Sequence, residues 1–177
     1  MSVGTLVALQ KAISYAAIAL FLIAAYGDIT KFRISNLLVF AIGALGVLHL
    51  ILLGSPTAAI YALGIAALVF VVGFFMFTRG WVGAGDVKLL IATVLLIRYP
   101  DLFKFFVRMS VFGAALSLIV ILLRNYVPLL VGARLGSHLA TIRLAVPYGV
   151  AIAGAATMTI LLQPLLFGYA VSLPSFL

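Results

Sequence analysis

Long apolar runs separated by short polar clusters make up most of this chain. The first run extends from about Leu6 to Tyr26, interrupted by Gln10, Lys11 and Ser14. The second covers Leu37 to Leu53 and stops at Gly54-Ser55-Pro56, a turn signal. The third covers Ala58 to Phe77 and ends before Thr78-Arg79-Gly80. The fourth, from Asp86 to Ile97, holds about a dozen residues; at about 1.5 Å per residue that is too short for a hydrocarbon core about 30 Å thick. Arg98-Tyr99-Pro100 close it, and a fifth run follows from Leu102 to Leu123, with Lys104 and Arg108 near its start. Residues 124–143 are moderately apolar and basic, and part of this segment reads as an amphipathic piece lying in the membrane interface. A sixth run covers Val146 to about Tyr169. The pattern predicts an all-α integral membrane protein. It is a polytopic bundle of six transmembrane helices with a short fourth helix, a single domain over 1–177, with no separate soluble domain and no detectable repeat.

Composition points the same way. The chain is 67% hydrophobic and 8% charged, whereas soluble domains are about 45–50% apolar and about 25% charged. The net charge of +8 reads as basic loops against anionic cytoplasmic lipid and not as a nucleic-acid surface. Of the 11 Lys and Arg residues, Lys31, Arg33, Arg79, Lys88, Arg124, Arg134 and Arg143 follow odd-numbered helices, and Lys11, Arg98, Lys104 and Arg108 lie on the other side. The bias puts the first set in the cytoplasm and both termini outside. The N-terminus has no basic stretch ahead of its apolar run, which argues against a cleaved signal peptide.

Candidate chemistry is limited by what is missing. With no cysteine there is no disulfide, thiol nucleophile or thiolate metal site. His49 and His138 have no partners at metal-ligand spacing, so neither a metal nor any other cofactor is expected. The acidic residues number three, Asp28, Asp86 and Asp101. Asp28 follows the first helix and Asp86 precedes the fourth; two helices take the chain across and back, so both lie at one membrane face in either orientation. Asp101 follows the fourth helix, lies at the opposite face, and reads as a solvated loop or N-cap residue.

Asp28 and Asp86 read equally as caps or as a functional pair. Asp86 suits the N-cap of the fourth helix, yet a helix that short starts below the headgroups, where a carboxylate is costly. Gly83 and Gly85 beside it allow positive φ or close approach of another segment. Two carboxylates held close share a proton near neutral pH. The ionised one can take a proton from water as it attacks a peptide carbonyl; the protonated one can stabilise the oxyanion and protonate the leaving nitrogen.

These residues resemble a known family. Gly83-Ala84-Gly85-Asp86-Val87-Lys88 matches the G-x-G-D-x-K element of the aspartic prepilin peptidases. Asp28-Ile29-Thr30-Lys31-Phe32-Arg33-Ile34-Ser35-Asn36 resembles the family's first aspartate motif, an Asp followed by basic residues and Ile-Pro-Asn, with Ser35 in place of the Pro. Pro147-Tyr148-Gly149, opening the sixth helix at the same face, resembles its Pro-Phe/Tyr-Gly element. The resemblance implies an endopeptidase of the bacterial inner membrane. It removes the basic leader from type IV pilin-like precursors at the cytoplasmic face, with Asp28 and Asp86 catalytic. The protein substrate and anionic lipids are the partners it implies. Gly83 and Gly85 then shape the loop bearing Asp86. Lys88 contacts the pair, the precursor or lipid phosphate; Lys31 and Arg33 contact lipid or precursor; Asn36 is a cap or a site partner. Larger members add a cysteine-bearing N-terminal domain linked to N-methylation. Its absence resembles the short form of tight-adherence pilus systems and implies peptidase activity alone. A proton-coupled transporter and a non-catalytic subunit of a secretion system are the competing readings, since paired membrane carboxylates also serve there.

Overall fold

The computed structural model describes residues 2–131 and 146–162. Among the described residues there are six α-helices: α1 (Val3–Lys31), α2 (Asn36–Leu53), α3 (Pro56–Thr78), α4 (Ala84–Leu96), α5 (Leu102–Val131) and α6 (Tyr148–Leu162). A 3-10 turn, Tyr99–Asp101, joins α4 to α5, and no strand occurs among the described residues. Among the described residues four segments are long and apolar enough to cross a membrane, namely Gly4–Lys31, Asn36–Leu53, Pro56–Thr78 and Tyr99–Leu123. The protein is therefore a multi-pass membrane protein. Helices α4 and α6, with 13 and 15 residues, are not among these four.

Local chemistry sets most boundaries. Ser2 accepts the Thr5 amide at the start of α1, and Ser55 accepts the Ala58 amide ahead of α3, whose first residue is Pro56. Gly54 ends α2 with a φ of 61°, which costs a residue without a Cβ little. Some expectations change. The first helix continues past Tyr26 to Lys31, so Asp28 lies in its last turn and not in a following loop. Asp86 is not the N-cap of α4: Gly83 holds that position and Asp86 sits in the first turn. The fifth helix runs beyond Leu123 to Val131. The interfacial piece expected over 124–143, with Arg134, His138 and Arg143, lies mostly outside the described residues, as does the expected end of the sixth helix near Tyr169.

Two short helices are held inside the bundle. Helix α4 packs between α2 and α3 and also touches α6; α6 packs between α1 and α5. Glycines let the backbones approach. A Cβ on Gly46 would stand 2.9 Å from Leu95 Cβ and 3.1 Å from the Leu95 carbonyl carbon, and one on Gly73 would stand 2.6 Å from Val87 Cγ1. On α1 the residues turned inward are Gln10, Ile13, Ala17, Phe21, Ala24 and Asp28, a row at spacings of three and four that follows one face of the helix. Asp28 is thus the last member of a buried stripe.

Candidate active site

The site lies where α1 ends and α4 and α6 begin. Helix α1 closes at Phe32, whose backbone is left-handed (φ 47°, ψ 36°) and whose amide donates to the Asp28 carbonyl oxygen at 3.0 Å. This is the one non-glycine positive φ among the described residues, a conformation that tertiary structure must hold in place. The turn sends residues 33–35 back across the end of the bundle. There Ile34 is the inward-facing residue, while Lys31, Phe32, Arg33, Ser35, Asn36 and Leu37 are exposed.

Asp28 is 6% exposed. Its carboxylate faces the amides of Gly149 and Val150 in the first turn of α6, although Oδ2 closes no hydrogen bond within the protein. The Val150 amide is already donated to the Pro147 carbonyl at 3.1 Å. The helix N-terminus presents the positive end of its dipole, which favours an anion at this spot. Gly149 is buried against the carboxylate: a Cβ there would stand 2.7 Å from Asp28 Oδ2 and 2.8 Å from Ile34 Cδ1.

Asp86 reaches the same place from the other side. Its backbone amide donates to the Gly83 carbonyl at 3.1 Å, and its carboxylate folds back over Gly83, so that a Cβ on Gly83 would stand 3.0 Å from Oδ2. Gly83 has a φ of −72°, and neither Gly83 nor Gly85 adopts positive φ. Their contribution is therefore space, and the expectation of backbone freedom is corrected. Burial, and secondarily the negative charge of Asp28, push the Asp86 carboxyl up to about 6, against the opposing effect of the Gly83 backbone. The two carboxyl groups are within electrostatic reach of each other.

The remaining residues singled out in the sequence surround this centre unevenly. Lys88 Nζ donates to Asn36 Oδ1 at 3.1 Å, across 52 residues of chain. This ties the first turn of α4 to the first residue of α2. Ser35, not Asn36, is the N-cap of α2, and it makes no side-chain cap bond. Lys31 and Arg33 are exposed at the rim. Tyr148 is 44% exposed, and its ring edge lies 3.9 Å from where a Gly113 Cβ would stand on α5. Asp101 is at the far end of α4, ion-paired with Lys104 at 2.9 Å. Ile34 was not among the residues singled out by chemistry. Its signal is an apolar residue between Arg33 and Ser35 in a connection that is otherwise turned outward.

The arrangement thus brings two carboxyl groups together at one end of the bundle, one in the last turn of a helix long and apolar enough to cross a membrane and the other in the first turn of the short α4. No curated relative and no solved structure matches the chain. A sequence model of the type IV leader peptidase family matches residues 15–118, which include Asp28, Ile34 and Asp86. The match covers more than half of the chain, and the protein belongs to the type IV leader peptidase family.

Proposed function

We propose that the protein is an aspartic endopeptidase with Asp28 and Asp86 as its catalytic pair, and that it removes the basic leader from type IV pilin-like precursors at the cytoplasmic face of the bacterial inner membrane. The observation that carries this reading is that Asp28, in the last turn of α1, lies close enough to Asp86, in the first turn of α4, for its charge to raise the Asp86 carboxyl, while Ile34 touches the first turns of both α4 and α6. In the resting state the pair holds one proton, with Asp86 as the protonated member and Asp28 as the ionised one, facing the N-terminus of α6. Asp28 takes a proton from water as the water oxygen bonds to the scissile carbonyl carbon. Asp86 donates its proton toward the developing oxyanion. On collapse Asp86 takes a hydroxyl proton back from the tetrahedral intermediate, the C–N bond breaks, and the proton held by Asp28 goes to the leaving amine, which restores the starting state of the pair. Atoms and charges balance without metal, cofactor or covalent intermediate.

In this reading α4 and α6 complete a six-helix transmembrane bundle. The exposed cations Lys31 and Arg33 face anionic lipid. Lys88 acts on the site through Asn36 and α2. N-methyltransferase activity is not expected.

Co-expression with a pilin-like precursor, followed by the precursor's size on a gel, tests the proposal. Asp28→Asn and Asp86→Asn should each abolish processing, and Asp101→Asn should leave it intact. Processing that survives either of the first two changes refutes the mechanism.

A further inference from the structure

Ile34 touches both halves of the site at once. A Cβ on Gly85, the residue before Asp86, would stand 3.5 Å from Ile34 Cβ. A Cβ on Gly149 would stand 2.8 Å from Ile34 Cδ1 and 2.7 Å from Asp28 Oδ2. The base of the side chain therefore rests on α4, while its tip shares with the Asp28 carboxylate the bare face of Gly149. A β-branched side chain suits this task because its χ1 is stiff and its tip stays where the backbone aims it.

From this geometry we infer that Ile34 is a positioning residue. It is a wedge between the first turns of α4 and α6 that sets how closely Asp86 approaches Asp28 and keeps water out of the space between them. The inference rests on the reading of the two aspartates as the reacting pair. An apolar group packed beside a carboxyl makes ionisation costly. Truncation to Ala opens a space edged by the Asp28 carboxylate and the start of α4, and a polar-edged space of that kind admits water. Truncation to Val keeps the branch that meets Gly85 and removes the Cδ1 that meets Gly149. The charged side chains at this end of the neighbouring elements are Lys31 and Arg33, both exposed, Arg79, which ends α3 and lies 4.7 Å from the centre of the Phe75 ring, and Lys88, which is bonded to Asn36; the described part of α6 brings no charge, and its titratable side chain is Tyr148.

The chain has three aspartates and no glutamate, so carboxyl-13C aspartate labelling in detergent micelles yields three side-chain signals, with Asp101 as an internal reference. In the wild type the upper titration of the Asp28–Asp86 pair should lie well above the ordinary carboxylate range. Ile34→Ala should lower it by roughly one pH unit, as the burial contribution is relieved, and Ile34→Val by less. A folded Ile34→Ala variant whose pair titrates as in the wild type overturns the inference. If that variant does not fold, an unmoved pair in Ile34→Val overturns it. The cleavage pH profile, measured in parallel, should shift in the same direction. A pair titration that responds to Ile34 in a protein that cleaves no precursor leaves the positioning role standing and refutes the peptidase reading instead.

Discussion

Gly149 and Asp28 meet through the face of the glycine that has no side chain. A Cβ built there would stand 2.7 Å from Asp28 Oδ2 and 3.0 Å from Cγ. Gly149→Ala must displace the carboxylate, Ile34 or α6 itself. Misplacing a reacting group by about 1 Å costs about 100-fold in rate, and overpacking adds about 1–3 kcal/mol of destabilisation. Gly85→Ala brings its new methyl to an ordinary 3.5 Å from Ile34 and should cost under about tenfold. Precursor cleavage rates and thermal unfolding of the two variants in detergent check this order.

The raised Asp86 carboxyl has a consequence for stability, with a definite sign. Its folded value of about 6 lies above the ordinary 3.8, so the stabilisation linked to its protonation is complete below pH 3.8 and is lost as pH rises through about 6. Above that pH the ionised carboxylate burdens the native state. Asp86→Asn should then stabilise the protein at pH 7.5 by about 1 kcal/mol, allowing for partial exposure to solvent, and change little at pH 4. Unfolding midpoints at the two pH values decide it.

The same proton shapes the activity profile. The productive state has one carboxyl protonated and one ionised, so kcat/KM should fall as pH rises through the Asp86 titration near 6. A bound precursor excludes more water, which moves the alkaline limb of kcat to higher pH. Initial rates over pH 4–9 would reveal both limbs; a flat profile across that range contradicts the shared proton.

The Lys88–Asn36 hydrogen bond is exposed and should contribute about 0.5–1 kcal/mol. Lys88→Met and Asn36→Ala should each cost about that much, and the double variant little more, because the two remove one interaction. Since the Lys88 ammonium is engaged with Asn36, Lys88→Met should leave the cleavage pH profile where it is.

Close helix packing gives a test away from the carboxylates. A methyl on Gly46 meets the α4 backbone, at 3.1 Å from the Leu95 carbonyl carbon and 3.2 Å from the Leu96 nitrogen, whereas one on Gly43 meets Ala92 Cβ at 3.8 Å. Gly46→Ala should cost about 1–3 kcal/mol and Gly43→Ala under about 0.5 kcal/mol. Denaturation of both variants in one detergent compares them.

Turn chemistry and the length of apolar runs carried most of the fold in the sequence. Gly54-Ser55-Pro56 marks the α2–α3 connection, and Arg98-Tyr99-Pro100 marks the end of the short α4. The end of α1 was not visible in this way. Apolarity reports which residues lipid can solvate, while the helix continues for as long as its backbone hydrogen bonds are met, here to Lys31. The buried stripe from Gln10 to Asp28 was hidden too, because a helix apolar on every side shows no inner face in its composition. For the site, counting crossings was enough to bring Asp28 and Asp86 to one end of the bundle. The contact partners were not countable. Gly149 lies 121 positions beyond Asp28 in the chain, and Ile34 differs from its exposed neighbour Phe32 only in where a left-handed turn aims it.

The surroundings of Asp28 also impose an order on biosynthesis. Asp28, Ile34 and Asp86 are all in place once α4 has been translated, but the amides and the bare glycine face that enclose Asp28 belong to α6, the last helix described. A nascent chain halted after α5 carries both aspartates without the helix end that encloses Asp28. The ribosome therefore delivers the finishing piece of the candidate site last, and under the proposed function a half-made chain in the membrane holds both carboxyl groups and no finished site.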